Sequence, residues 1–176
     1  GDHFSRETDT LHPSSPYSAS KAAAEMLVMS YGKTFWVDYT ISRGTNTYWL
    51  HQYPEKLIPF ALKRQREGKS ITLYGDGENV RDWLSVDDHS RAIWEIFTRW
   101  TSGEIYNVGA DNLLTNNEMI RILLEQTWTP MSTIEYIADR LGHDRRYALD
   151  TTKIKNELGW SPKSIFLEEL QKVIFY

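Results

Sequence analysis

The chain has 176 residues, enough for one domain, or one domain and a small lobe, at roughly 100–200 residues per domain. Its 20 Lys+Arg and 24 Asp+Glu give a net charge of −4, so no basic excess exists to neutralise phosphates and nucleic acid is not an expected partner. It has no Cys, which excludes a disulfide framework, a thiolate nucleophile, an iron–sulfur cluster and a zinc ribbon, and fits a reducing compartment such as the cytoplasm.

Residues 1–16 read as loop, polar and ending in Pro13-Ser14-Ser15-Pro16, where Pro16 disfavours helix at Ser15. Tyr17 to about Gly32 reads as a helix rich in Ala. Alternating Val37, Tyr39 and Ile41 suggest a strand over 36–42. Pro54–Glu67 reads as a second helix with a Leu57, Ile58, Ala61, Leu62 stripe and Gly68 at its stop. Ile71–Tyr74 reads as a strand, Gly75-Asp76-Gly77 as a turn and Arg81–Val86 as an extended segment. Asp87-Asp88 then sits where a helix N-terminus favours negative charge, before a helix over 89–101.

A strand over 105–108 follows, and Thr115 with Glu118 has capping-box spacing for a helix to about Gln126. Ile134–Ile137 reads as a strand, Thr152–Leu158 as a helix ended by Gly159, and a last helix starts near Ser164. Strands alternating with helices argue an α/β chain with a largely parallel sheet. No stretch approaches the about 18 apolar residues of a spanning helix, so no membrane partner is expected. The opening residues carry no apolar signal region and no initiator Met, which suggests a processed product or a fragment. No glycine-rich dinucleotide turn occurs in the sequence; Gly75-Asp76-Gly77 has the wrong spacing.

Tyr17 and Lys21 stand four apart on the first helix and so share a face. A phenol is a weak base at neutral pH, and a nearby ammonium favours its phenolate. The spacing alone is equally that of an ordinary helix pair. Arg81 is either an anion contact or the salt-bridge partner of Asp82 or a neighbour, Asn107 a ligand contact or a turn residue before Gly109. His143 has no second ligand at zinc-site spacing and reads as a loop histidine, so no metal is expected. His3, His12, His51 and His89 have no assigned role.

Five segments carry a family resemblance: Pro13–Ala22, Pro54–Pro59, Leu73–His89, Tyr106–Gly109 and Asp139–Asp150. In that order they resemble the extended short-chain dehydrogenase/reductases acting on nucleotide sugars, most closely the dTDP-glucose 4,6-dehydratase branch. Pro54–Pro59 and the Gly142–Tyr147 run resemble that branch in particular; sibling sugar epimerases and decarboxylases share mainly the Tyr/Lys pair and the Arg81-Asp82-Trp83 segment. The resemblance covers nearly the whole chain. It implies the C-terminal part of a Rossmann-like parallel sheet with a small nucleotide-sugar-binding lobe, residues 1–53 belonging to the NAD-binding domain and 54–176 mainly to the lobe, interleaved with the last Rossmann elements.

It also implies NAD as cofactor, a dTDP-sugar or other nucleoside-diphosphate sugar as substrate, and a homodimer. The implied reaction converts dTDP-glucose to dTDP-4-keto-6-deoxyglucose by internal hydride transfer. Tyr17 matches the base that takes the 4-hydroxyl proton, Lys21 its helper and ribose contact, and Asn46 a residue near the nicotinamide. Thr47, Lys56, Leu57, Thr72, Leu73, Tyr74, Arg81, Asn107 and the loop Asp139, Arg140, Leu141, Gly142 and His143 match substrate contacts. Two departures stand out. Thr47-Tyr48-Trp49-Leu50 replaces the family's Asn-Tyr-Gly-Pro, and Gly1 matches the point just after the segment bearing the eliminating Asp/Glu pair. That pair, and the glycine-rich turn, are expected upstream. The alternative readings are a nucleotide-sugar-binding half-protein or fragment without catalysis, and a related sugar-nucleotide epimerase or decarboxylase.

Overall fold

A computed structural model describes residues 3–130 and 134–176. The elements in chain order are α1 (Pro16–Phe35), β1 (Ile41–Gly44), β2 (Asn46–Tyr48), α2 (Leu57–Arg66), β3 (Ile71–Tyr74), β4 (Val80–Ser85), α3 (Val86–Arg99), β5 (Ile105–Val108), β6 (Leu113–Thr115), α4 (Asn116–Gln126), β7 (Ile134–Ile137), β8 (Arg146–Tyr147), α5 (Thr152–Leu158) and α6 (Phe166–Phe175). Parallel pairings dominate: β1 with β5, β2 and β8 with β4, and β3 with β7; among the described residues only the β4–β6 strand pair is antiparallel.

Two apolar clusters organise these strands. Leu84, Ala92, Ile96, Tyr106, Val108, Ile154, Leu158 and Trp160 join α3, β5 and α5. Ile58, Leu62, Ile71, Leu73, Met119, Leu123, Leu170 and Ile174 are among those joining α2, β3, α4 and α6. β4 feeds both, with Trp83 on one side and Leu84 on the other, because successive strand residues face opposite ways.

Local chemistry accounts for the helix starts. Ser15 caps α1 in a reciprocal box with Ser18, and Pro16 takes a first-turn position where it sacrifices no intrahelical bond. Thr115 and Glu118 form the same box on α4. Thr115→Ala removes that cap, and a loss of about 1 kcal/mol is expected in chemical denaturation. α3 starts at Val86, earlier than the sequence suggests, because the Ser85 hydroxyl accepts from the Asp87 amide.

Several sequence expectations shift. Gly32 does not end α1; a side chain there would collide with the Tyr39 ring, so the glycine marks a close approach, and the helix runs on to Trp36 in the left-handed region at φ 58°. The strand expected over 36–42 begins only at Ile41, whose amide bonds the Glu104 carbonyl at 3.0 Å; Val37 and Tyr39 alternate within a connector. Residues 54–56 precede α2 instead of opening it, since the Lys56 amide closes a turn on Tyr53. β2, β6 and β8 are two or three residues long, too short to show a period.

Two faces lack cover. Among the described residues β1 pairs only with β5. α1 buries none of its 20 residues, and Met26, Leu27, Val28, Met29, Tyr31 and Phe35 are exposed on it. One tie between α1 and the body is Arg43 of β1, which grips Glu25 through Nε and Nη2 and donates Nη1 to the Glu7 carbonyl.

Candidate functional site

The ends of β3 and β4 open toward the loop 139–145. Arg81 lies on β4, which is hydrogen-bonded to β6 on one side and to β2 and β8 on the other. Its Nη1 donates to the Val80 carbonyl and its Nη2 to the Asp144 carbonyl, both at 2.7 Å. Burial lowers the guanidinium pKa, with only partial compensation from Asp144. No carboxylate of the described residues forms an ion pair with it. Asp82 is not its partner: the Asp82 carboxylate points inward and accepts from the Ala110 and Asn112 amides at 2.9 and 2.8 Å. A half-buried guanidinium with no ion-pair partner among the described residues has donors to offer an anion.

The loop supplies the rest of the wall. His143 is clamped between Asp139 (Nδ1 to Oδ1, 2.7 Å) and Arg140 (Nε2 to Nη2, 2.9 Å). The Arg140 guanidinium lies 4.9 Å from the Tyr74 ring centre, and the His143 ring meets Tyr74 edge-on at 6.5 Å. The His143 hydrogen bond holds the Asp139 carboxyl below the usual carboxylate range. Arg145 pairs with Asp76 at 2.6 Å, which brings that carboxyl down to about 2. Gly75, at φ +63°, lets the β3 turn approach Asp139. Leu141 is fully exposed at the loop tip.

The loop reaches the start of α1. The Ser14 hydroxyl touches the Asp144 carboxylate at 2.8 Å and the Gly142 carbonyl at 3.2 Å. Three residues on, Tyr17 is 75% exposed and so reachable by a ligand. The Tyr147 phenol, whose pKa burial raises, lies in the fields of Arg43, Glu25, Asp144 and Tyr17 and donates to the Gly44 carbonyl at 3.4 Å. Tyr17, Tyr147, Asp144 and Arg81 therefore share one neighbourhood.

The other candidates divide. Thr72 is half-buried on β3, while Leu73 faces the core, leaving only its backbone for a ligand. Lys56 is exposed and Leu57 packs on the larger apolar cluster. Asn46 is half-buried at the start of β2 and makes no side-chain hydrogen bond among the described residues. Thr47 turns to His89 (Oγ1 to Nδ1, 3.2 Å), and burial lowers the His89 pKa. Asn107 does not join the group. It is fully buried, and its Nδ2 ties the Ser5 and Asp150 carbonyls together at 2.9 and 3.1 Å. Sequence reasoning missed Ser14, Asn79 and Tyr147. Asn79 donates to the Asp144 carbonyl at 3.2 Å, and the sequence offers no sign of it, because the partner lies 65 positions away.

The arrangement can bind an anion at Arg81, stack a ring near Tyr74, and present a phenol and an ammonium to a polyol. Tyr17 and Lys21, both exposed and one turn apart, with the unpartnered Asn46 amide, fit the ribose–nicotinamide end of a dinucleotide. No glycine-rich turn of these 176 residues supplies a pyrophosphate cradle.

Comparison with known proteins agrees with this reading of the fold. A dTDP-glucose 4,6-dehydratase from Streptomyces griseus is 45% identical over 156 residues, 89% of this chain and 48% of its own length. The crystal structure of the dTDP-glucose 4,6-dehydratase of Streptomyces venezuelae, with NAD bound, matches at a TM-score of 0.97 and 40% identity, covering 99% of this chain and 54% of that one. The Bacillus anthracis dTDP-glucose 4,6-dehydratase in complex with NAD matches at 0.94 and 43% identity, over 99% of this chain and 56% of that one. The chain spans about half the length of the curated relatives it matches. Residues 1–173 match the GDP-mannose 4,6 dehydratase family, and the chain belongs to that family.

Proposed function

We propose that this chain carries the nucleotide-sugar-binding part of an NAD-dependent dTDP-glucose 4,6-dehydratase, together with its Tyr/Lys pair. The observation that carries the reading is the Arg81 guanidinium, half-buried with no ion-pair partner among the described residues and roofed by a loop that is fastened next to Tyr17. A diphosphate at Arg81 adds the direct ion pair that Asp144 and Asp139, acting only through their fields, do not make, Tyr74 and Arg140 offer a flat face to a base, and the sugar is directed toward α1. Residues 1–53 are assigned to the cofactor-binding domain, and 54–176 mainly to the sugar-nucleotide lobe.

In this reading Tyr17 accepts the proton of the sugar 4-hydroxyl at its phenolic oxygen. Lys21, one turn further on, offsets the negative charge that the oxygen carries before it takes the proton, and donates to the cofactor ribose. Asn46 orients the nicotinamide end. NAD, when bound, supplies the acceptor and donor of hydride. The exposed apolar residues of α1 support a homodimer built through that helix.

The test joins this chain to the glycine-rich cofactor half of the Streptomyces venezuelae relative. Incubated with dTDP-glucose and NAD, the chimera is expected to give a product lighter by one water in mass spectrometry. A folded chimera that returns dTDP-glucose unchanged contradicts the reading.

A further inference from the structure

Asp144 is a junction. Its carbonyl accepts from both Arg81 and Asn79, and its carboxylate meets the Ser14 hydroxyl at 2.8 Å. A serine hydroxyl has one proton, and the shorter, charge-assisted contact to the carboxylate takes most of it. The Gly142 carbonyl lies at 3.2 Å from the same oxygen. Gly142 itself sits at φ +69°, where a Cβ would stand 2.5 Å from the Ser14 carbonyl oxygen. The loop and the Pro13–Ser15 segment thus touch at a point that admits no side chain.

The next residue, Ser15, caps α1, and its carbonyl and hydroxyl hold the Ala19 and Ser18 amides. A continuous set of contacts therefore runs from Arg81 through Asp144 and Ser14 to the turn that bears Tyr17 and Lys21.

We propose that Ser14 is a positioning residue that couples the nucleotide loop to the Tyr17–Lys21 turn. A diphosphate that fixes Arg81 and the loop thereby fixes the phenol and the ammonium that act on the sugar. The proposal rests on the nucleotide reading above for its ligand, but the Ser14 contact itself does not depend on it.

The test is amide hydrogen exchange on the chain, with and without thymidine diphosphate, for the wild type, Ser14→Ala and Ser14→Thr. In the wild type the diphosphate is expected to slow exchange in residues 139–146 and in residues 17–21, each by about tenfold or more, because both open locally. In Ser14→Ala the loop should still be slowed while the 17–21 protection disappears. Ser14→Thr, which keeps the hydroxyl, should restore it; a merely structural role would not separate these two variants. Protection of the loop alone in the wild type, or of both segments in Ser14→Ala, overturns the proposal. If the diphosphate protects neither segment, the nucleotide reading fails. The coupling is then read without ligand: faster exchange of residues 15–18 and 142–144 together in Ser14→Ala sustains it, and unchanged exchange overturns it.

Discussion

Tyr17→Phe, introduced into the chimera that carries a cofactor-binding half, is expected to lower turnover of dTDP-glucose by about 10²–10⁴ while leaving the fold intact. The ring is retained and the side chain is largely exposed, so little packing changes. What disappears is the acceptor for the 4-hydroxyl proton, without which hydride cannot leave the sugar carbon. Lys21→Ala should also slow turnover, since the reacting phenol loses its neighbouring cation. An ordinary helix pair would give a different result: a stability loss of about 0.5 kcal/mol or less and near-normal turnover. Retention of more than about a tenth of wild-type turnover by Tyr17→Phe excludes it as the base.

Asp88→Ala is expected to cost about 3 kcal/mol of stability in urea denaturation, because it orphans groups that are buried. Asp88 is 2% exposed. Its carboxylate accepts from the Lys163 and Ser164 amides at 3.0 and 2.9 Å and from Arg91, so it ties the start of α3 to the segment leading into α6. Burial alone would raise its pKa, but those donors bring it below the ordinary value. A depressed carboxyl contributes stability that is present above its unfolded pKa, about 3.9, and is lost as pH falls through the folded value. Asp82 has the opposite sign: burial outweighs its two amide donors and raises its pKa, so its contribution fades as pH rises through the folded value. Asp88→Asn should therefore flatten the acid limb of stability against pH, and Asp82→Asn should steepen it. An Asp88→Asn variant with an unchanged acid limb contradicts this assignment.

These two residues show how far the sequence could be read. Asp87-Asp88 is legible as a helix start, because charge at an N-terminus is a local effect. That Asp88 also secures residues 163 and 164 is not legible, because the partners are about 75 positions away. The same division holds at the site. β3 and α4 follow from periodicity and capping, the Tyr17 helix from its alanines, and α5 ends at Gly159 in the left-handed conformation its sequence suggests.

β8 escapes notice because two residues carry no period; its pairing with Val80 and Arg81 is set by the body around it. The sequence leaves Arg81 open between an anion contact and a salt bridge to Asp82 or a neighbour; the inward turn of Asp82 removes Asp82 itself as the partner. Asn107 shows a further side. Its motif suggests a ligand contact, and what the sequence does not show is that its Nδ2 bridges two backbone segments while its buried Oδ1 has no partner among the described residues.

In the proposed nucleoside-diphosphate site, Arg81 and the loop over it hold the diphosphate. Calorimetric titration of this chain with thymidine diphosphate, wild type against Arg81→Ala, tests it most directly. The wild type is expected to bind with a dissociation constant in the micromolar range, and Arg81→Ala to bind about 30-fold or more weakly, the equivalent of about 2 kcal/mol for loss of one partner of a desolvated pair. Equal affinity of the two proteins, or no binding by the folded wild type, would contradict the account.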